Sequence, residues 1–411
     1  MTGVKRVLVA LVVLAAGAAA AVAWTAAARD REYQRLIAAG ETALGAGRTG
    51  PAIEAFSGAL ALKPRAMLGY LKRGETYRQD GDLEAALRDL RQAVAIDPGS
   101  TRALEQLGDV QSAQGFDGRA AQRYEAYMAL DDRAPPVLYK LALARFRGGQ
   151  TAAAIPPLRR AIRLDDRFAE AHYLLGLCLE SSGHGRGAAV ELERAVALRP
   201  GLLPARDALA RVYRAIGRRD AALDQLEALA ALDRRQPARQ LALALAYADA
   251  GRTDLAVTSL RRTAERFPDQ VDVYAALGAV WLHVAEAAHD RVALEKAVEA
   301  LRTAAIRGGS GRTLALYGRA LLLKGNGQAA VHSLSEASTK LPVDPDTLRD
   351  LARAAAAQGD VRLARDALLR YTALQPDVRP ARDVARQIGQ WSLALHDADT
   401  AAIWLARAAE N

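Results

Sequence analysis

The chain has 411 residues and a net charge of +9, and about half of its residues are hydrophobic although only 5% are aromatic. Closely packed helices rich in alanine and leucine fit this composition better than one large globular core. Basic and acidic residues are intermixed along the chain, without a Lys/Arg block or a basic stripe interleaved with aromatics, so nucleic acid is not an expected partner.

The N-terminus differs in kind from everything after it. Lys5 and Arg6 precede a charge-free stretch from Val7 to Ala28, which is long enough to cross a bilayer as a helix. Two interpretations stay open. Residues 1–29 are either a signal peptide cleaved after the small residues before Trp24, or an uncleaved anchor with Trp24 at the far interface. We favour the anchor.

Both interpretations place the remainder of the chain outside the cytoplasm. An uncleaved anchor predicts attachment to the inner membrane, with the rest on the periplasmic or extracytoplasmic side. Cleavage would instead give a secreted or periplasmic protein.

From residue 30 onward, helix-ending residues recur at a fixed interval. Pro64 and Pro98 are 34 residues apart, and further steps of 34 reach Pro200 and Pro268. Such a period predicts helical hairpins that cannot bury their apolar faces alone and therefore stack on one another. Glycines at the same interval are predicted to end the first helix of each hairpin, where a positive φ is needed. They are Gly81, Gly115, Gly183, Gly217, Gly251 and Gly359.

The unit Met67–Ser100 shows the complete pattern, with Tyr70, Gly74, Tyr77, Gly81, Ala86, Leu90, Ala93 and Pro98. This pattern resembles the tetratricopeptide repeat (TPR) family, and the match extends over nearly everything from Asp30. The resemblance implies an all-α fold: a right-handed α-solenoid of about ten to eleven helical hairpins, preceded by the N-terminal hydrophobic helix. Pro156 and Pro157 fall early in one second helix and are expected to kink or delay it.

Two departures from the repeat divide the predicted solenoid. Seven extra residues follow Trp281 before the pattern resumes at Ala297. The glycine-rich segment Gly308–Gly311 then predicts either a hinge or an ordinary loop. A hinge would separate units one to eight, residues 30–307, from units nine to eleven, residues 312–411.

The sequence offers little catalytic chemistry. His283, Glu286 and His289 form the best metal candidate, but two histidines six apart on a helix point away from each other, and no metal or other cofactor is expected. Cys178 lies between leucines within a helix and is predicted to be a packed thiol. We therefore expect a non-catalytic protein.

The TPR resemblance assigns a concave groove to the first helix of each hairpin and so implies candidate partner-binding positions. In the middle of the chain these are apolar and aromatic, and towards the C-terminus they are basic. Amphipathic helices or extended peptides with acidic flanks fit such a groove. Packing of the same apolar residues against neighbouring helices is the alternative. The candidates are Tyr139, Leu143, Phe146, Tyr173, Leu177, Arg211, Arg214, Arg319, Arg349 and Arg353.

TPR modules that line this groove with asparagine are a poor match, because asparagine occurs only at Asn326 and Asn411. Near the C-terminus, Ile403 and Trp404 occupy positions that are polar in other units. An exposed Trp404 would favour a homo-oligomer or another partner. Trp404 folding back onto Trp391 is the alternative.

These patterns predict a membrane-tethered or exported scaffold that binds a protein or peptide partner within an envelope complex. A binder of anionic polysaccharide is the first alternative. An enzyme accessory subunit is the second.

Overall fold

A computed structural model describes residues 2–376, 378 and 380–410, without the side chains of residues 2–7, 9, 10, 12, 13 and 15. The described residues form 22 α-helices, packed as consecutive hairpins typical of a TPR solenoid. The predicted all-α fold is therefore confirmed. We call odd-numbered helices first helices and even-numbered ones second helices.

The chain divides into two compact units, with the boundary after Ile216. In the first unit, each first helix from α1 to α9 packs on the second helix that follows it, and each first helix from α3 to α11 packs on the second helix before it. Its helices are α1 Thr2–Gly45, α2 Thr49–Leu62, α3 Met67–Asp80, α4 Leu83–Ile96, α5 Thr101–Ala113, α6 Asp117–Leu130, α7 Pro135–Arg147, α8 Thr151–Leu164, α9 Ala169–Ser181, α10 Gly185–Leu198 and α11 Leu203–Ala215.

The second unit is built in the same way and begins at Gly217. Its helices are α12 Arg219–Leu232, α13 Pro237–Asp249, α14 Thr253–Arg266, α15 Val271–Ala288, α16 Arg291–Ile306, α17 Gly311–Leu323, α18 Gly327–Ala337, α19 Pro345–Ala357, α20 Val361–Ala373, α21 Arg382–Ala394 and α22 Ala398–Ala409.

Small residues set the spacing within each hairpin. A Cβ added to Gly108 of α5 would lie 2.6 Å from the Tyr124 ring of α6, closer than any real contact, so the two helices meet there only because the side chain is missing. Tyr124 fills the space and is almost fully buried. The turns follow the prediction, because Gly81 and its equivalents have a positive φ. Glycine reaches that conformation without the steric penalty of a Cβ.

The N-terminal stretch and the first repeat share one helix. α1 runs without interruption for 44 residues, from Thr2 to Gly45. Its later part packs against α2 through Tyr33, Ile37 and Ala43, which are buried. Leu14, Val22 and Trp24 in its earlier part are exposed. Lys5 and Arg6 lie among the residues whose side chains are not described.

Pro156 and Pro157 do not delay their helix. α8 begins at Thr151 and includes both residues, so that part of the expectation is wrong. A proline at 157 cannot donate to the carbonyl of Ala153 in the preceding turn. Arg145 of α7 satisfies that carbonyl instead, with its Nη1 donating to it at 2.8 Å. A partner on the neighbouring helix therefore compensates for the missing backbone donor.

Replacing Arg145 with methionine is expected to destabilise the chain by roughly 1–3 kcal/mol, because the part-buried Ala153 carbonyl loses a charged hydrogen-bond donor. Arg145 also pairs with Glu125, but that contact is exposed and contributes about 1 kcal/mol or less. Urea unfolding of Arg145→Met and Glu125→Gln separates the two contributions. Equal losses in the two variants would show that the carbonyl contact is unimportant.

The extra residues after Trp281 lengthen two helices. α15 has 18 residues where other first helices after α1 have 13 or 14, and α16 has 16 where other second helices have 14 or fewer. Within the described part of the chain, α15 is also the one helix long and apolar enough to cross a membrane. It packs against α14 and α16, as the core helix of a hairpin does.

The segment Gly308–Gly311 links α16 to α17 inside the second unit. Gly308 has a φ of 93°, and the Ser310 hydroxyl caps α17 by accepting from the backbone N–H of Thr313 at 3.3 Å. Hinge bending at this segment stays a prediction.

Trp404 is not exposed. Its exposed fraction is 7%, and it lies in a cluster with Ile388, Ala385 and Ala408, against which Trp391 also packs. The expectation of an exposed tryptophan is wrong, because Trp404 belongs to a buried cluster that also includes residues of α20 and α21. Ile403, beside it, is 53% exposed. Self-association through this end of the chain stays a prediction.

Candidate functional site

Ion pairs cross from one first helix to the next along the first unit. In each, an acid on the earlier helix accepts from a base on the later one. Glu75 pairs with Arg102 at 2.6 Å, and Glu105 and Asp109 both pair with Lys140, at 2.7 and 2.8 Å. Further pairs are Glu41 with Lys72 and Glu180 with Arg211. In each of these pairs, the charge on one first helix is neutralised by the opposite charge on the next.

This series is interrupted between α7 and α9. Among the described residues, no ion pair joins these two helices, and five apolar or aromatic side chains are partly exposed there. We call them the apolar patch: Tyr139, Leu143 and Phe146 on α7, and Tyr173 and Leu177 on α9.

The repeat itself shows why the patch lies there. Positions 41, 75 and 109 are acidic and supply the ion pairs of α1, α3 and α5. One and two periods later, the equivalent residues are Leu143 and Leu177, and after them Arg211. Two successive hairpins have thus lost the charge at this position and gained apolar surface. The patch therefore lies where the acidic residue found at this position in the preceding hairpins is replaced by leucine.

Aromatic contacts fix the patch in place. The Tyr139 ring lies 5.2 Å from the Phe168 ring at the start of α9, centroid to centroid, with the planes tilted by 50°. Burial raises the pKa values of Tyr139 and Tyr173, against the opposing effect of Arg147 and Arg211, respectively. Both hydroxyls are therefore neutral donors across the physiological range. Such amphipathic rings favour an apolar partner with polar groups nearby.

Basic side chains flank the patch. Arg147 at the end of α7 and Arg214 on α11 are exposed and have no ion pair to another described residue. Arg211 is already engaged, because its Nε and Nη2 both donate to the Glu180 carboxylate at 2.7 Å. Arg147 and Arg214 are therefore available to a partner.

The predicted basic end of the groove lies in the second unit, where it is partly neutralised. Arg319 donates to Glu286 at 2.7 Å and lies 4.0 Å from Asp350. Arg353 lies 3.8 Å from the same Asp350, and Arg349 lies 3.6 Å from Asp346. Burial raises the pKa of Asp350, and the arginines oppose that shift.

The candidate metal ligands and Cys178 can be placed in the structure. Within the described residues, no three or more potential metal ligands come together. Glu286, the carboxylate of the predicted candidate, accepts from Arg319 instead. Asn326 caps α18, and Asn411 lies outside the described residues. Cys178 is fully buried, which confirms the packed-thiol interpretation, and burial raises its pKa to about 11.

Cys178 is expected to resist alkylation in the native protein and to react fully in denaturant. Its raised pKa also predicts that folding stability falls as pH rises, over the window from about 9, its unfolded value, to about 11. The folded state holds the proton more tightly there, so raising the pH favours unfolding. Iodoacetamide labelling at pH 8, followed by mass spectrometry, measures the protection. Rapid native labelling would contradict it.

Sequence reasoning found the members of the patch but missed the ion pairs around it. The signal was available as opposite charges spaced 27 to 35 residues apart, such as Glu75 with Arg102 and Glu105 with Lys140. That spacing joins neighbouring first helices in a 34-residue repeat.

Stacked helical hairpins with an exposed first-helix face define a repeat scaffold. Two family profiles identify the repeat: "TPR repeat" matches residues 74–115, and "Tetratricopeptide repeat" matches 139–202, 208–271 and 316–379. Together they cover more than half of the chain, which belongs to the tetratricopeptide repeat family and is a TPR protein–protein interaction scaffold. These repeats are typically non-catalytic, and no catalytic family is found.

Solved TPR structures resemble parts of the chain. The C-terminal part of a TPR repeat-containing protein from Cytophaga hutchinsonii is 16% identical, covers 58% of this chain and 98% of its own, and has a TM-score of 0.51. The MamA protein is 27% identical over 41% of this chain and 92% of its own, with a TM-score of 0.40. YrrB, "a TPR protein with an unusual peptide-binding site", is 22% identical over 45% and 95%, with a TM-score of 0.41. No curated protein matches the chain.

Proposed function

We propose that the chain is a non-catalytic scaffold that holds a partner protein through the apolar patch on α7 and α9. The observation that carries the proposal is the 34-residue series in which Glu41, Glu75 and Asp109 give way to Leu143 and Leu177. In the first unit, ion pairs join the other neighbouring first helices, whereas these two hairpins carry partly exposed apolar side chains at the same face. Interfaces concentrate binding energy in such aromatic and apolar clusters.

The occupant that fits is a peptide segment with apolar anchors and an acidic flank. Tyr139, Phe146 and Tyr173 supply ring surface for the anchors. Arg147 and Arg214, exposed beside the patch, supply positive charge for carboxylates. Either an amphipathic helix or an extended strand meets this requirement.

The proposal extends to an anchor in the inner membrane. The charge-free stretch from Val7 to Ala28 is continuous with the helix that packs in the first hairpin, and Trp24 is exposed where an interfacial residue is expected. This continuity supports attachment through α1. The proposal then has the repeats on the extracytoplasmic side, as part of an envelope complex. Cleavage to a secreted or periplasmic form is the alternative. N-terminal sequencing of the mature protein in membrane and soluble fractions distinguishes them.

Crosslinking in cells tests the binding surface. A photo-reactive phenylalanine at position 143 or 177 is expected to capture the same protein, since both positions lie in the apolar patch. The control is position 190, where Val190 is exposed on the second helix α10. Capture of one species from 143 and 177 but not from 190 supports the proposal. Equal capture from all three, or none, overturns it.

Binding of an anionic polysaccharide is the second candidate. It is favoured by Arg312, Arg349 and Arg353, which are exposed on α17 and α19 of the second unit. Retention on an acidic polysaccharide that is lost at high salt and weakened by Arg312→Gln would support it. Salt-resistant capture of a protein favours the scaffold.

A further inference from the structure

A cleft of about 520 Å³ lies in the second unit, between the second helices α12 and α14. Leu243 of α13 lines the cleft and is 8% exposed. The aromatic rings of Tyr247 and Phe267 contribute to its walls. Its volume falls within the range of small-molecule sites.

The cleft has a surplus of positive charge. Arg234, Arg262 and Arg266 line it, are exposed, and have no ion pair to another described residue. The one acid in the lining is Glu227, whose carboxylate already accepts from the Tyr247 hydroxyl at 2.8 Å. Three guanidinium groups therefore face a space with a single, hydrogen-bonded carboxylate.

The arrangement also orients part of this charge. The Arg266 guanidinium lies over the Phe267 ring, 5.4 Å from its centroid, so a cation–π contact holds it beside the apolar wall. Other polar groups of the lining are satisfied internally: the Gln240 side-chain amide donates to the Ala230 carbonyl, and the Thr263 hydroxyl donates to the Ser259 carbonyl. The guanidinium donors are what remains for a ligand.

We propose that this cleft binds a small phosphate monoester whose ester group is flat and apolar. A dianionic phosphate balances the surplus charge, and arginine forks match its oxygens. The apolar body packs against Tyr247, Phe267 and Leu243. The residues of α13 that line the cleft are 240, 243 and 247. They do not occupy the repeat positions that form the apolar patch on α7 and α9, so the two proposed sites use different positions of the repeat.

Isothermal titration of the full chain with phenyl phosphate tests the proposal. Saturable binding at millimolar concentration or tighter is expected, with inorganic phosphate at least threefold weaker and benzyl alcohol not binding. Affinity is expected to fall at pH 5, where the phosphate loses its second charge. No saturation, equal binding of inorganic phosphate, or unchanged affinity at pH 5 would overturn the proposal.

Variants locate the binding. The double variant Arg262→Gln/Arg266→Gln is expected to lose at least tenfold in affinity, whereas Arg261→Gln stays within twofold. Arg261 is the matched control, because it is exposed on the same helix but lines a different cleft. All three arginines are exposed, so the variants are expected to fold, as unchanged circular dichroism would verify. Equal losses in both proteins would show non-specific attraction and refute the site.

Discussion

Replacing both Tyr139 and Tyr173 with alanine is expected to weaken partner binding roughly a hundredfold or more while leaving the fold intact. Aromatic anchors at an interface contribute about 2 kcal/mol or more each, and a factor of ten corresponds to about 1.4 kcal/mol. Both rings are partly exposed, and the hairpin cores are built from other residues, such as Leu158 and Leu192, so folding should persist.

The measurement is a titration of the captured partner against purified variants. Phe116→Ala is the matched control, because Phe116 is an exposed aromatic at the turn between α5 and α6, away from the patch. Tyr139→Phe is expected to retain most of the affinity, since the ring supplies the contact. A double alanine variant that binds as tightly as the unaltered chain would disprove the role of the patch.

Replacing Trp404 with alanine is expected to cost about 3–5 kcal/mol, the range for removing a buried aromatic side chain. The loss should concentrate in the last hairpin, because Trp404 packs with Ile388 and Trp391 of α21. In a repeat array each hairpin depends on its neighbours, so a terminal hairpin opens before the others. Hydrogen exchange is expected to accelerate in α21 and α22.

Ile403→Ala provides the comparison, since Ile403 is adjacent in sequence but exposed. Its effect on stability is expected to stay within about 0.5 kcal/mol. The pair also examines self-association. If Ile403→Ala changes the molecular mass in light scattering while the fold is retained, the exposed residue mediates oligomerisation. Similar stability losses in both variants would contradict the buried position of Trp404.

Most of the fold was predictable because the residues that end helices and allow them to pack closely recur at fixed positions in the repeat. Glycine at 81 and 108 specifies a helix end and a close approach, and the prolines mark where second helices stop. Each of these requirements can be recognised within the sequence of a single repeat unit. The patch residues were identified through the same register.

What could not be predicted depends on contacts between different helices. Trp404 lies at a position that is polar in other units, and only the cluster that it forms with residues of neighbouring helices shows that it is buried. The helix with Pro156 and Pro157 lacks a backbone donor to the Ala153 carbonyl, and Arg145, on another helix, supplies one. The cleft between α12 and α14 likewise has no signature within any single unit.

The uninterrupted helix α1 connects the N-terminal stretch rigidly to the first hairpin. A 44-residue helix spans about 66 Å, and its final turns are clamped against α2 by buried side chains. A membrane or partner that binds the early turns of α1 therefore fixes the orientation of the first hairpin, because no flexible linker separates them. A rotation of the early turns of α1 would therefore be transmitted to its final turns and to the first hairpin. Inserting two glycines after Trp24 would uncouple the two ends while leaving each of them unchanged.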